Sequence, residues 1–344
     1  MGEKFKRMIK KDISITILAC FIIGIMLFLA ISLGGKMYNV RNFSSMAFQV
    51  SEFAVLSLGM SLAMMLGGID LSIIANANLS GIIAGYVMCG KLFNTGNMSP
   101  AVVIFLAVLA ALTCAALLGA LNGVMIAKFS APPMVATLGT MTFYNGIGMA
   151  ITGGQGIVGF PDMFLKFGSG AVFQIPYVVI VLFFVAIILM FVMEKTTFGR
   201  KLYIMGENHT AARFSAIKNE RLIIITYTIV GLLAGIASLM IVSRVNSAKV
   251  GYGDTYLLQA ILVAVLGGVS PSGGKGKIFG VLLAVFSTQM LSSAFTQWQF
   301  SPYSKKLVWG AMLVIIMLIN LLVDKKMQTV TAAAPAKKGA AAQS

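Results

Sequence analysis

Apolar residues run along this chain in long unbroken blocks, separated by short clusters of charge, Gly and Pro. The blocks cover 13–33, 43–66, 69–90, 101–127, 134–152, 176–193, 222–243, 254–270, 278–297 and 306–323. Most reach the roughly 18–20 residues that a helix needs to cross a bilayer. None alternates at every second position over about ten residues, as a barrel strand would. The pattern predicts an all-α polytopic membrane protein of about ten transmembrane helices. Eight spans plus half-helices is the other count, because 69–90 and 254–297 are rich in Gly and polar residues and read as re-entrant or broken segments. The membrane domain occupies 13–323, between a basic segment 1–12 and a tail 324–344. From Gln328 onward the tail has no amphipathic period or apolar core and reads as disordered.

Composition sharpens this in one respect. With 58% hydrophobic and 10% charged residues, against roughly 25% charged in a soluble domain, a soluble globule is excluded. Cys20, Cys89 and Cys114 lie in or beside apolar stretches without C-x-x-C spacing, as inert thiols do.

Charge sets orientation. Lys and Arg number 26 against 10 acidic residues, but no basic stripe is interleaved with aromatic residues, so the partner implied is the lipid bilayer and not nucleic acid. Lys4, Lys6, Arg7, Lys10 and Lys11 precede a first block longer than the roughly 7–15 residues of a signal-peptide core. No small-x-small site follows before Lys36, so the block reads as a retained span with its N-terminus inside. Alternating sides from there gathers 18 of the 26 basic residues inside. Both termini and the 194–221 loop are then cytoplasmic, as the positive-inside rule requires.

Two Gly interruptions carry the candidate chemistry. The first is Leu66-Gly67-Gly68-Ile69-Asp70-Leu71-Ser72, leading to Asn76, Asn78 and Ser80; the second, Leu266-Gly267-Gly268-Val269-Ser270-Pro271-Ser272, repeats Leu-Gly-Gly-aliphatic-x-x-Ser 200 residues later. Paired interruptions at corresponding positions of two halves point to a transporter of two related repeats. An ionisable group at membrane depth costs roughly 2.5–3.5 kcal/mol on insertion scales, so Asp70 either caps the following helix or meets a polar substrate. The second segment approaches a phosphate-binding loop, since Gly268 and Gly273 are correctly spaced. It fails where Lys and Ser or Thr must follow, because Gly274 and Lys275 stand there, so the chain does not hydrolyse ATP itself.

Glu52 interrupts the second block, where pathway lining and a satisfied helix-helix hydrogen bond are both open. Arg244 closes the seventh, where snorkelling to the interface is the simpler reading. Asn76, Asn78, Asn145 and Gln259 join Glu52, Gly67, Gly68 and Asp70 as candidates for a polar pathway. Gly81 with Gly85, Gly119 with Gly123 and Gly231 with Gly235 permit close helix approach. In the 194–221 loop Thr210 can cap a short helix offering Ala, Phe and Ile to a partner's groove, although composition alone favours a solvated basic loop. The sole histidine, His209, lies there too, leaving no His-based metal or proton-relay site within the membrane and little material for an intramembrane enzyme.

These motifs together resemble the permease subunits of bacterial ATP-binding-cassette importers of the ribose, or monosaccharide, type, over about residues 43–323. Its carriers are Leu58-Gly59-Met60 with Gly67 through Ser72, Asn122-Gly123, Ala131 through Thr140, and Thr152-Gly153-Gly154. Phe198-Gly199-Arg200, Ala211-Ala212-Arg213-Phe214-Ser215 and Gly267 through Gly280 complete the set in the family's order. The resemblance implies a multi-pass subunit of the bacterial cytoplasmic (inner) membrane that works as a homo- or heterodimer. It implies two cytoplasmic ATPase subunits, which hold ATP and Mg while this chain holds no cofactor, and an extracytoplasmic solute-binding protein. Gly199, Arg200, Ala211, Ala212, Arg213 and Phe214, with Glu207 in the same loop, match the segment that couples to the ATPase, which reverses the solvated-loop reading. One departure stands out: where the family commonly has Glu-Leu-Asp-Ala-Ile, this chain has Leu257-Leu258-Gln259-Ala260-Ile261, pointing to a changed ligand or to the less conventional member of a heterodimer. The expected activity is import of a small polar solute, a monosaccharide, by alternating access and without enzymatic chemistry in this chain. The alternative is an ion-coupled carrier working through Asp70 or Glu52.

Overall fold

The computed structural model describes residues 13–92, 96, 98–173 and 175–333, and a helix stands at each of the ten predicted positions. These are α1 (Ile13–Leu33), α2 (Val40–Met65), α3 (Ile73–Met88), α4 (Pro100–Lys128) and α5 (Pro133–Thr152) in the first half. After a short amphipathic α6 (Asp162–Ser169) come α7 (Tyr177–Lys195), α8 (Thr197–Glu207), α9 (His209–Phe214), α10 (Asn219–Val245), α11 (Asp254–Leu266), α12 (Ile278–Gln297) and α13 (Pro302–Ala333). The first half carries the N-terminal Pro residues of α4 and α5, whose fixed φ suits the first turn, and α13 opens the same way. Left-handed Gly153 and Asn246 close α5 and α10.

Among the described residues six helices, α2, α4, α7, α10, α12 and α13, are long and apolar enough to cross a membrane. Of the segments 69–90 and 254–297, read as re-entrant or broken, the first holds the 16-residue α3 and the second opens with the 13-residue α11, about 24 Å and 20 Å at 1.5 Å per residue, less than the ~30 Å hydrocarbon core; the rest of the second is the 20-residue α12, which is long enough to span. The last helix runs to Ala333, so the stretch from Gln328 to Ala333 is helical and not structureless as its composition implied. Residues 1–12, including Lys4, Lys6, Arg7, Lys10 and Lys11, and 334–344 lie outside the described residues.

At the centre stands α2, where every residue from Ser51 to Leu66 is buried. It packs on α10, α12, α11 and α7. Protein, not lipid, is its solvent, and the hydroxyls of Ser51, Ser57 and Ser61 are satisfied by donating to carbonyls one turn back. The most extensive helix pair is α4 on α10. Here the small residues predicted to permit close approach do so: a Cβ at Gly231 would overlap the Ala115 carbonyl, and one at Gly123 would stand 2.7 Å from the Ile224 Cα. Beyond α5, an isolated antiparallel bridge between Ile157 and Ala248 ties the connection to the segment after α10, and a two-residue ladder of Ala171–Val172 with Ile175–Pro176 leads into α7. There α6 fits because Gly168 lies against the Ser243–Arg244 backbone.

Candidate functional site

Both Gly interruptions end a helix with the same device. Gly67, at φ 92°, donates its N–H to the Met64 carbonyl (2.9 Å) while Gly68 donates to Ala63 (3.0 Å). At the end of α11, Gly268, at φ 86°, donates to Val265 (3.0 Å) and Val269 to Ala264 (2.9 Å). These are two Schellman closures, each satisfying carbonyls the helix end leaves free. The left-handed residue is the first Gly of one pair and the second Gly of the other, so the sequence repeat is one residue out of register with the structural one. The remaining Gly of each pair makes room: a Cβ at Gly68 would stand 2.5 Å from the Tyr227 hydroxyl, and one at Gly267 would stand 2.7 Å from the Val281 Cα.

The two turns touch. Gly274 donates its N–H to the Met65 carbonyl (2.9 Å), so the loop after α11 caps α2. Onto this junction comes the end of α8. A Cβ at Gly206 would overlap the Met65 carbonyl and stand 2.5 Å from the Gly274 nitrogen, and the Tyr203 hydroxyl donates to the Gly276 carbonyl (2.8 Å). Burial, and secondarily the nearby Glu194 carboxylate, push the Tyr203 phenol above its ordinary pKa, so it stays a donor through the neutral range. Asn208 then starts α9, its Oδ1 accepting the N–H groups of Thr210 (2.9 Å) and Ala211 (3.0 Å). The cap is therefore Asn208; Thr210 sits two residues too deep for it. Asn219 ties the unit back by donating to the His209 carbonyl (3.0 Å).

The loop residues singled out from sequence form one surface on this unit. Gly199 is buried against the Met193 carbonyl and Ala212 is buried, whereas Arg200, Glu207, Ala211 and Arg213 face outward and Phe214 is 88% exposed. This exposed apolar ring stands on the six-residue α9, which follows directly on the end of α8 seated against both Gly turns.

The pathway candidates do not form one cluster. Asp70 closes the entry to α3: its Oδ1 accepts the Ser72 N–H (2.9 Å) and hydroxyl (2.7 Å). Asn122 Nδ2 donates to the Ser72 hydroxyl (2.7 Å), and Thr140 donates to Asn122 Oδ1 (2.7 Å). Thr137 accepts the Leu71 N–H (3.1 Å), so α4 and α5 grip the first turn through a buried polar chain. Such a chain is strong only when fully satisfied. Asn76 donates to the Ala115 carbonyl (3.1 Å). Asn78 is buried with its amide nitrogen unpartnered, Gln259 is buried and Asn145 is half-buried.

Glu52 lies 14 residues before Leu66 on the same helix, about 21 Å along its axis. Arg244 grips it with both ends of its guanidinium, Nε to Oε2 at 3.0 Å and Nη2 to Oε1 at 2.6 Å, and the Tyr256 hydroxyl adds a third bond at 3.0 Å. The snorkelling reading of Arg244 is thereby corrected: a carboxylate 1% exposed on the neighbouring helix outcompetes the interface for it. Sequence reasoning passed over Asn208, Tyr203, Gly206, Gly274 and Tyr256 as site residues. Asn122, Thr137 and Thr140 stood only as motif residues, although an Asn inside an apolar block was a usable signal. Among the described residues no group of three or more His, Cys, Asp or Glu is placed to hold a metal ion.

A bundle of apolar helices, two of them ending at Gly turns clasped by one extramembrane helical unit, defines a helical membrane permease as the class. The chain belongs to the family described as branched-chain amino acid transport system / permease component, which it matches over residues 42–317. It is similar to the ribose import permease protein RbsC of Bacillus subtilis (strain 168), 34% identical over 81% of this chain and 83% of that one. It is likewise similar to RbsC of Escherichia coli (strain K12), 32% identical over 89% and 93%, and to the D-allose transport system permease protein AlsC of the same strain, 28% identical over 89% and 91%. No solved structure matches the chain.

Proposed function

We propose that this chain is the membrane-spanning permease subunit of an ATP-binding-cassette importer of the bacterial inner membrane, translocating a monosaccharide. The relatives named for ribose and D-allose support the substrate class. In this reading the helices at all ten predicted positions belong to the bundle, both termini and the α8–α9 unit are cytoplasmic, and two related halves meet at the Gly turns. The chain pairs with a second permease subunit, receives solute from an extracytoplasmic binding protein, and is driven by two ATPase subunits that hold ATP and Mg. It carries no cofactor and performs no chemistry of its own.

The observation that carries this reading is the seat of α8 on both Gly turns at once, through Gly206, Gly274 and Tyr203. Closure of the ATPase pair pushes Arg213 and Phe214; the push passes through Gly206 to the ends of α2 and α11, and the halves rock to open one side at a time. Binding energy on one face becomes a population shift only because the two turns move with the unit. Glu52, Gly67, Gly68, Asp70, Asn76, Asn78, Asn145 and Gln259 remain the proposed pathway residues, with Glu52 and Asp70 acting through structure. The ion-coupled alternative loses one of its two carboxylates, since Glu52 is already neutralised by Arg244.

Uptake into vesicles containing the assembled complex tests the assignment. Arg213→Glu and Phe214→Ala should abolish ATP-dependent uptake while the chain inserts normally; undiminished uptake in both would sink the coupling role.

A further inference from the structure

On the flank of the α8–α9 unit away from the Gly turns, a cavity of about 340 Å³ opens where α7 gives way to α8 and α10 begins. Its polar side is made by Lys201, Lys218 and Arg221, and its apolar side by Phe198, Leu222 and Ile225. All three cations are exposed, and none forms an ion pair with a carboxylate among the described residues. The first turn of α8 lines the same space, and the helix N-cap, Thr196, makes no side-chain cap bond to it, adding weak positive potential. Three like charges converging on a cavity repel one another and persist where an anion is to be held. The apolar residues belong to α8 and to the start of α10, a helix long and apolar enough to cross a membrane, so one wall of the cavity is charged and the other greasy.

We infer that this cavity is a binding site for the phosphodiester headgroup of an anionic phospholipid, with Lys201, Lys218 and Arg221 holding the phosphate and Phe198, Leu222 and Ile225 receiving the start of the acyl chains. Basic pockets between helices at the membrane surface recognise lipid headgroups by this division of labour. A soluble phosphate would leave the apolar wall unused, and an acidic protein segment would have to enter at bilayer depth. The site lies on the flank of the unit that carries Arg213 and Phe214, so a bound lipid steadies α8 against α10. The inference rests on the cytoplasmic placement of the 194–221 loop for its choice of leaflet, though not for the binding itself.

The test is retention of lipid by the full chain in mild detergent, read by native mass spectrometry and by thermal shift. The probes are dioleoyl phosphatidylglycerol, dioleoyl phosphatidylcholine and inorganic phosphate. Phosphatidylglycerol should be retained over phosphatidylcholine, and each of Lys201→Gln, Lys218→Gln and Arg221→Gln should cut retention about five-fold. The pair Lys201→Arg with Lys218→Arg keeps charge and should keep binding, which separates loss of the site from loss of fold. Equal retention of both lipids, or unchanged retention in the combined neutral variant, overturns the proposal. So does displacement of the lipid by millimolar phosphate, which would mark a soluble-anion site. Loss of co-purifying ATPase in the neutral variant with lipid retention intact would mark a protein-docking site and overturns it equally. Asn208→Cys, in a background with Cys20, Cys89 and Cys114 changed to Ser, reports sidedness separately: labelling from outside intact cells refutes the cytoplasmic placement without touching the lipid count.

Discussion

Gly206→Ala adds a single methyl group at the point where α8 rests on both Gly turns. The backbone there is ordinary, since Gly206 is not among the positive-φ residues, and Ala is a better helix former than Gly by about 1 kcal/mol. Local propensity therefore favours the substitution. Packing opposes it: the new Cβ overlaps the Met65 carbonyl and stands 2.5 Å from the Gly274 nitrogen and 3.2 Å from its Cα. All three are backbone atoms, and two belong to the hydrogen bond that joins the turns, so no rotamer change relieves the clash. Overpacking of this kind costs roughly 1–3 kcal/mol. Net of propensity, the seat of α8 should weaken by up to about 2 kcal/mol, or a factor of about 30 in the equilibrium between seated and lifted positions. The assay compares thermal unfolding in detergent and ATP-dependent uptake in proteoliposomes with Gly310→Ala, where a Cβ meets nothing within 4 Å. Gly206→Ala should leave ATP hydrolysis by the complex running while uptake falls by up to about thirty-fold, and Gly310→Ala should match wild type in both. If the two variants behaved alike, the reasoning from contact to coupling would be refuted.

Glu52→Gln should destabilise the bundle by about 3 kcal/mol, because it strands a half-buried guanidinium, whereas Glu52→Gln with Arg244→Met should recover most of the loss in the same unfolding assay. Tyr227→Phe removes a buried hydroxyl that has no hydrogen-bond partner, so stability should be unchanged or rise by about 1 kcal/mol on thermal unfolding. Asn208→Ala should cost about 1 kcal/mol at α9 and raise hydrogen exchange of Thr210 and Ala211, while Asn208→Ser or Asn208→Asp should not. Asn122→Leu breaks the chain from Asp70 to Thr140 and should lower the unfolding midpoint by more than Thr142→Val, whose exposed hydroxyl only returns to its own helix.

Much of the architecture could be read from spacing alone, because lipid imposes it: a block near 20 apolar residues has few alternatives to a helix. The same reading found the two short helices, since Gly and polar residues at 66–72 and 266–276 interrupt what lipid would otherwise favour. It stopped where contact depends on helix rotation. Nothing in a linear sequence tells that Arg244 faces a carboxylate 192 residues away, nor which Gly of each pair turns left-handed. Asn208 and Thr210 are both good cap residues two positions apart, and only the chain direction entering α9 decides between them. The short α6 and α8 escaped because two or three turns of amphipathic period beside Gly and charged residues look like loop. The proposed coupling surface came from resemblance, whereas the seat of α8 on Met65 and Gly274 through Gly206 needed coordinates.

The pairing of Glu52 with Arg244 also orders the assembly of the protein in time. A chain emerging at roughly 5–20 residues per second needs about 10–40 s to make the 192 residues between them. For that interval α2 must wait at the insertion machinery or enter the bilayer with an uncompensated carboxylate, at a cost of roughly 2.5–3.5 kcal/mol. Its serines and the wholly buried stretch from Ser51 to Leu66 make it a guest of helices that do not yet exist. The central helix of the mature fold is thus among the last to settle, and slowing synthesis between Glu52 and Arg244 should lengthen the time this nascent protein spends exposed to membrane quality control.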